Sequence, residues 1–209
     1  VVFGVAFPVA TEPAEVFGGR SLVEVYAPTS IVLGLATVAV FLLPVALAGD
    51  REKGILRRLS ATPAHPRTLV AAHLLVQLVV VTLATIAAVL VGRLIFDIGL
   101  PEGLGWFAAS FSLGALSLLA VGLLIGALVP TASSGQALGM LLYFPLLFFA
   151  GVYIPLQVMP EGVQTISLYT PAGAAVQALS DSWNGVVPET SSLLVMMAYV
   201  IVAGSLAVW

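Results

Sequence analysis

The sequence contains no cysteine and only two histidines among its 209 residues. Without cysteine the chain forms no disulfide and holds no iron–sulfur cluster, and two histidines are too few for a usual zinc site. Charged residues are scarce as well, at 8% of the chain, where soluble domains carry about 25%. Hydrophobic residues make up 60% of the sequence, more than a soluble fold of this length could bury. This balance predicts an all-α integral membrane protein, because helices satisfy their own backbone hydrogen bonds in lipid.

Long apolar segments recur along the chain at the length that a membrane helix needs, about 20 residues. They predict a six-span helical bundle in one transmembrane domain covering residues 1–209. The spans are expected at residues 1–9, 28–49, 69–96, 104–129, 135–154 and 191–209. The first segment is short, and we interpret it as the end of a span whose beginning is missing. The N-terminus of the full chain is then expected in the cytoplasm.

Two glycine pairs inside the spans favour close helix packing. Gly122 and Gly126 lie four residues apart in the fourth predicted span, and Gly135 and Gly139 have the same spacing in the fifth. Small residues at this spacing allow two helix backbones to approach each other. Pro44 and Pro145 lie inside the second and fifth predicted spans, where the missing amide hydrogen of proline predicts kinks in the helices.

Positive charge is concentrated between the second and third predicted spans. Five of the seven Lys and Arg residues lie in residues 50–67, namely Arg51, Lys53, Arg57, Arg58 and Arg67. Basic loops stay on the cytoplasmic side, because positive charge resists translocation. The composition, rich in alanine, valine and glycine with arginine preferred over lysine, is typical of a GC-rich bacterial genome. We therefore expect a multi-pass protein of the bacterial plasma membrane with this stretch inside.

The pattern within the basic stretch predicts a short amphipathic helix at residues 51–61. Ile55, Leu56 and Leu59 share one face at helical spacing, and Pro63 ends the helix because it has no amide hydrogen. The residues alone leave two interpretations open. The stretch is either an ordinary loop that sets topology and touches anionic lipid, or a docking element that seats its apolar face in a groove of a cytoplasmic partner.

Two motifs carry a resemblance to a known family. Residues 52–63 read Glu-Lys-Gly-x-Leu-x-x-Leu-x-x-Thr-Pro. Residues 149–156 read Phe-Ala-Gly-Val-Tyr-Ile-Pro-Leu, followed by Met-Pro at 159–160 and Tyr-Thr-Pro at 169–171. In this order, and at these places in a six-span plan, the two motifs resemble the type-2 exporter permeases of the ATP-binding-cassette (ABC) transporters. The drug and antibiotic efflux branch is the most similar.

The resemblance implies that one chain forms the membrane pathway and another chain hydrolyses ATP. A separate cytoplasmic ATP-binding subunit would dock on a coupling helix formed by Glu52, Lys53, Gly54, Ile55, Leu56, Arg57, Arg58 and Leu59. Two permease chains, as a homodimer or a heterodimer, and two ATPase chains would form the transporter. This chain has no Gly-x-x-x-x-Gly-Lys-Ser/Thr loop, so it is not expected to be an enzyme. ATP and magnesium are expected on the partner, with no catalytic residue, cofactor, metal or nucleic acid on this chain.

Residues 155–190 are too long for a simple turn and too interrupted by polar residues to span a membrane. Their pattern predicts short helices around residues 161–168 and 172–183. The resemblance implies that these helices re-enter the outer leaflet and close the exit, with Gly151, Pro155 and Pro171 at this outer gate. An interfacial loop is the alternative.

Candidates for the substrate path lie on three spans. Thr37 and Phe41 on the second span, and aromatic residues on the fifth, would line a hydrophobic cavity, although core packing or lipid contact explains aromatics in a span equally well. His73 and Gln77 share one face of the third span, where hydrogen bonding between helices is the favoured explanation. The fifth-span candidates are Tyr143, Phe144, Phe148 and Phe149.

We therefore expect a permease subunit for the efflux of hydrophobic drugs, antibiotics or lipids, as in multidrug resistance. An exporter of lipid-linked glycans is the alternative within the family. A channel or secondary transporter is the alternative outside it, but such proteins usually carry charged residues or broken helices at mid-membrane. The span centres here are nearly free of charge. The carboxylate pair Asp50 and Glu52 is interpreted as solvated, and no residue pattern supports a membrane protease.

Overall fold

The computed structural model describes residues 13–14, 20–55, 66–96 and 98–208. Helix α1 (Leu22–Ala36) continues through a π-helical turn (Thr37–Leu42) into α2 (Leu43–Glu52), and is followed by α3 (Pro66–Phe96), α4 (Leu104–Leu128) and α5 (Ala132–Phe149). A 3-10 turn (Leu156–Val158) and the short helices α6 (Glu161–Leu168) and α7 (Pro171–Trp183) lead to α8 (Thr190–Val208). Strands β1 (Pro13–Ala14) and β2 (Arg20–Ser21) form a minimal antiparallel pair before α1.

Five helical segments are long and apolar enough to cross a membrane: Val23–Glu52, Thr68–Ile95, Leu104–Leu128, Ala132–Phe149 and Thr190–Ala207. They match the last five of the six predicted spans and confirm the helical membrane class. The first predicted span, residues 1–9, lies outside the described residues. The fifth predicted span ends at Phe149 instead of residue 154, because the chain turns at Gly151.

Helix α4 lies at the centre of the bundle. It packs against α2, the π-helical turn, α7 and α8, and it buries Phe111, Leu118 and Ile125. Helix α3 lies at the periphery, where it contacts α1 and α2 and exposes apolar side chains such as Leu75 and Leu83 along its length. In a membrane protein, such an exposed apolar face suits contact with lipid or with a neighbouring chain.

The two glycine pairs approach the same span from two different helices. On α4, a Cβ atom at Gly122 would overlap the carbonyl group of Ala39, and one at Gly126 would lie 2.9 Å from the Leu47 side chain. On α5, a Cβ atom at Gly135 would lie 3.3 Å from Pro44 O, and one at Gly139 would lie 3.1 Å from Val40 O. The predicted close packing is confirmed, and it holds the π-helical turn and α2 against both α4 and α5.

The π-helical turn frees a backbone carbonyl for this packing. The Leu43 amide donates to Val38 O, one residue further back than in an α-helix, so Ala39 O loses its α-helical donor. In a π-helix its donor would be Pro44, which has no amide hydrogen. The Ala39 carbonyl instead faces Gly122 of α4, where only a glycine leaves room. The structure thus places a π-helical turn just before Pro44, where the sequence predicts a kink.

Helices α6 and α7 are the two short helices predicted between the last two spans. Thr170 caps α7, because its side chain accepts a hydrogen bond from the Gly173 amide at 3.0 Å, and Pro171 occupies the first helical turn, where no amide donor is needed. A Cβ atom at Gly173 would overlap the Ser167 carbonyl, so the two helices join tightly. Most of α7 is buried, and its alanine-rich surface packs against α4, α8 and α1.

Candidate functional site

The predicted docking loop begins at one end of the bundle. We call this the basic end and define it by the end of α2 and the α4–α5 turn at residues 129–131. Helix α2 stops at Glu52, and Gly54 adopts a φ of +66°, a conformation that glycine takes without strain. The predicted helix is therefore not continuous from residue 51, because a turn at Lys53 and Gly54 separates α2 from Ile55. Leu56, Arg57, Arg58 and Leu59 lie outside the described residues.

Arg51, in the last turn of α2, reaches across to the end of α4. Its Nη1 donates to Val129 O at 2.8 Å, and its Nη2 donates to Gly126 O at 3.2 Å. The last carbonyls of an α-helix have no intrahelical donors and carry partial negative charge. A guanidinium at this place therefore donates the missing hydrogen bonds, and its positive charge stabilises the negative end of the helix dipole. This contact ties the start of the docking loop to the central helix.

Asp50, the preceding residue, is tied to a different helix. Its Oδ2 lies 2.7 Å from His73 Nε2 on α3, and both side chains are largely buried. An ionised carboxylate only accepts hydrogen bonds, so the imidazole Nε2–H donates. Asp50 is thus not the solvated carboxylate that we expected, since the first turns of α3 cover it. His73 makes the hydrogen bond between helices that its sequence position favours.

Thr37 and Tyr143 are the two substrate-path candidates that the structure joins most closely. Their hydroxyl oxygens are 2.7 Å apart, between the π-helical turn and α5. Thr37 donates its only hydroxyl hydrogen to Leu33 O at 2.7 Å, so Tyr143 is the donor in the contact between the two spans. The Phe41 ring lies 6.1 Å from the Tyr143 ring and completes the cluster.

We predict a measurable coupling between Thr37 and Tyr143. In a double-mutant cycle of Thr37→Val and Tyr143→Phe, the coupling in unfolding free energy should be about 0.6 kcal/mol and should not exceed roughly 1.7 kcal/mol, as for hydrogen bonds between membrane helices. The Tyr143→Phe change retains the ring that faces Phe41, so the cycle isolates the hydroxyl contact. Thermal unfolding of the four proteins in one detergent measures the coupling, and additive effects would contradict it.

The other path candidates are not gathered into one site. Phe144 and Phe148 are 55% and 37% exposed on the surface of α5, and the Phe144 ring lies edge-to-face on Tyr143, with centroids 5.8 Å apart. Phe149 packs its ring edge-to-face on Phe148, with centroids 5.4 Å apart. His73 belongs to the pair with Asp50 at the basic end. Gln77 lies one turn further along α3 and is half-buried.

The second family-like motif builds the end of α5. Gly151 has a φ of +75°; its amide donates to Phe148 O at 3.0 Å, and the Val152 amide donates to Leu147 O at 3.1 Å. These two bonds form a Schellman cap, which stops the helix and turns the chain. Pro155 then precedes the 3-10 turn, and Pro171 opens α7. Gly151 and Pro155 therefore define the turn that leads into this segment, and Pro171 defines the junction between its two short helices.

A cavity of about 310 Å³ opens at the other end of the bundle, which we call the acidic end because Glu24, Glu102 and Asp181 line it together with Gln157, Gln164 and Gln177. Asp181 accepts hydrogen bonds from Gln177 Nε2 at 3.1 Å and from the Glu189 amide at 3.4 Å. Burial raises the pKa of Asp181 above its ordinary value, although the hydrogen bond from the Glu189 amide acts to lower this pKa. This cavity is lined by polar side chains, whereas the aromatic residues of the sequence predict a hydrophobic substrate path.

Comparison with known proteins identifies the family. The model of a family described as "ABC-2 family transporter protein" matches residues 5–209. The chain is also similar to a protein of Bacillus subtilis (strain 168) named "Putative transport permease YvfS", with 25% identity over 176 residues, which cover 83% of this chain and 71% of that protein. No solved structure matches the chain. The family predicted from the two motifs is confirmed, whereas its drug and antibiotic efflux branch stays a prediction, and the chain belongs to the ABC-2 family of transport permeases.

Proposed function

We propose that this chain is the transmembrane subunit of an ABC exporter that moves hydrophobic drugs, antibiotics or lipids out of a bacterial cell. A separate cytoplasmic subunit binds ATP and magnesium, and it docks on residues 52–59. Two permease chains, identical or different, and two ATPase chains form the working transporter. The basic end faces the cytoplasm under the positive-inside rule, and so does the N-terminus.

The start of the docking loop is the single observation that carries this proposal. Arg51 and Asp50 attach the end of α2 to α4 and α3, and the chain leaves this attached point through Gly54. A loop that served only to set topology would need positive charge but no rigid base. A loop that receives mechanical work needs such a base, because force on a flexible tether would not reach the spans.

The composition of the spans favours a hydrophobic substrate. Helices α4, α5 and α8 contain no Asp, Glu, Lys or Arg. A secondary transporter that binds ions usually carries charged or broken segments at mid-membrane. The Thr37–Tyr143–Phe41 cluster offers aromatic surface and hydroxyl groups, which suit a largely apolar molecule with a few polar groups. Export of lipid-linked glycans remains the second candidate, because it would use the same docking arrangement.

The buried packing of α7 supports an outer gate. We propose that α6 and α7 re-enter the membrane from the acidic end, since α7 buries most of its length and packs an alanine-rich surface against α4 and α8. The turns at Gly151 and Pro155 then set where the hairpin leaves α5, and Pro171 sets the turn between α6 and α7. Exit of a substrate requires this hairpin to move relative to α4.

Transport by the purified complex tests the proposed function. The full-length chain, purified from native membranes with its bound ATPase and reconstituted into lipid vesicles, should accumulate hydrophobic fluorescent dyes when ATP and magnesium are supplied. A non-hydrolysable ATP analogue should give no accumulation. Dye movement that follows an ion gradient without ATP would contradict the proposal and indicate a secondary transporter.

A further inference from the structure

Two neighbouring residues of α2 contact two different spans at the basic end. Arg51 donates to the carbonyls of Gly126 and Val129 at the end of α4, and Asp50 bonds His73 on α3 at 2.7 Å. We call this set of contacts the basic-end clamp. Consecutive helix residues point about 100° apart, so the clamp holds the last turn of α2 from two sides.

The clamp lies directly before the docking loop. Arg51 is four residues from Ile55, and Lys53 and Gly54 close the helix with bonds to Gly49 O and Arg51 O at 3.0 and 3.1 Å. Displacement of the loop therefore first reaches a helix end that is attached to two other spans. Without the clamp, α2 could bend at the π-helical turn and absorb the displacement, since that turn already departs from α-helical bonding.

The chemistry of Arg51 suits this position better than positive charge alone. Its planar guanidinium presents two nitrogens at once, one to each of two carbonyls in the last turn of α4. A lysine carries the same charge and satisfies the helix dipole, but it lacks the rigid planar fork that presents two separate donor nitrogens to the two carbonyls.

We propose that the basic-end clamp transmits the movement of the docked ATPase to α3 and α4 together with α2. Arg51 acts as the positioning residue on α4, and the Asp50–His73 pair does so on α3. This inference rests on the proposed function, because it assigns the mechanical link of that same docking loop. It predicts that clamp residues affect the yield of transport per ATP, whereas docking residues affect the binding of the ATPase.

The test compares Arg51→Gln, Arg51→Lys and the control Gln136→Ala, an exposed residue of α5 near the same end. Each complex is reconstituted, and bound ATPase, ATP hydrolysis and dye transport are measured at saturating dye. Arg51→Gln should retain the ATPase but lose about tenfold in dye transported per ATP, as expected for a lost hydrogen bond of a charged group. Arg51→Lys should lose several-fold, and Gln136→Ala should match the wild type.

Other outcomes would overturn the inference. If Arg51→Lys equals the wild type, the residue supplies only charge or topology. If both Arg51 variants lose the ATPase itself, Arg51 belongs to the docking surface and not to a link behind it. If the wild-type complex carries no ATPase or its transport ignores ATP, the proposed function fails and this inference fails with it.

His73→Leu tests the other arm and keeps the inference falsifiable if an Arg51 variant fails to fold. It removes the donor to Asp50 without touching Arg51. The clamp predicts a several-fold lower transport per ATP at saturating dye, with an unchanged dye concentration at half-maximal transport. A role of His73 in the substrate path would instead raise that concentration and leave transport per ATP at saturation intact, which would contradict the clamp.

Discussion

Replacement of Gly122 by alanine is expected to destabilise the folded bundle by about 3 kcal/mol, at the upper end of the usual cost of overpacking a core. The added Cβ would overlap the carbonyl of Ala39. That carbonyl belongs to the backbone of the π-helical turn, so no side-chain rotation relieves the overlap. Helix α4 and the turn must separate, and the contacts of Gly126 with α2 would loosen with them.

Gly105→Ala is the matched control for this change. Gly105 lies on the same helix, but nothing lies within 4 Å of the place where its Cβ would be. The control should be neutral or slightly stabilising, because alanine has the higher helix propensity. Thermal unfolding in detergent should show Gly122→Ala roughly 10 °C below the wild type. Equal melting temperatures for the two variants would contradict the close approach of α4 to the π-helical turn.

Replacement of Ile55, Leu56 and Leu59 together by aspartate is expected to abolish binding of the ATPase. In the proposed function these residues form the apolar face that the partner covers. Apolar anchors at the centre of an interface contribute most of its binding energy, and three buried carboxylates without partners would add a large desolvation cost. Co-purification from native membranes and ATP-driven dye transport should both fall to background.

Two further variants separate apolar contact from charge and topology. The same three positions replaced by serine introduce no charge and should also lose the ATPase. Ser133→Asp places a new carboxylate at an exposed position in the first turn of α5, and this variant should keep the ATPase. If the triple aspartate variant retains the ATPase, the prediction is wrong, and the basic stretch serves only to set the membrane topology.

The sequence alone was sufficient for the existence of the five spans that the structure describes and for the glycine packing. Hydropathy over about 20 residues depends on the bilayer and not on tertiary detail, so α3, α4 and α8 begin and end close to their predicted limits. The spacing of Gly122 and Gly126 predicts close approach of another helix. It does not say which helix, and the answer is the π-helical turn before Pro44.

The contacts at the basic end could not be predicted in the same way. Asp50 and His73 are separated by 23 positions, and their pairing depends on how α2 and α3 lie side by side. Arg51 was counted among the residues that set topology, and its attachment to Gly126 and Val129 depends on where α4 ends in space. A short-range pattern such as the helices at residues 161–168 and 172–183 is visible in sequence, whereas a contact between distant helices requires their packing.

The central claim is that an ATPase subunit docks at residues 52–59, and photo-crosslinking from Ile55 tests it most directly. A photoreactive amino acid replaces Ile55 in the full-length chain, and a second protein carries it instead at Leu104, an exposed residue at the acidic end. We expect irradiation of intact cells to join position 55, and not position 104, to a chain that hydrolyses ATP. The absence of an ATPase from the products of position 55, in cells where the wild-type chain transports dye, would contradict the account.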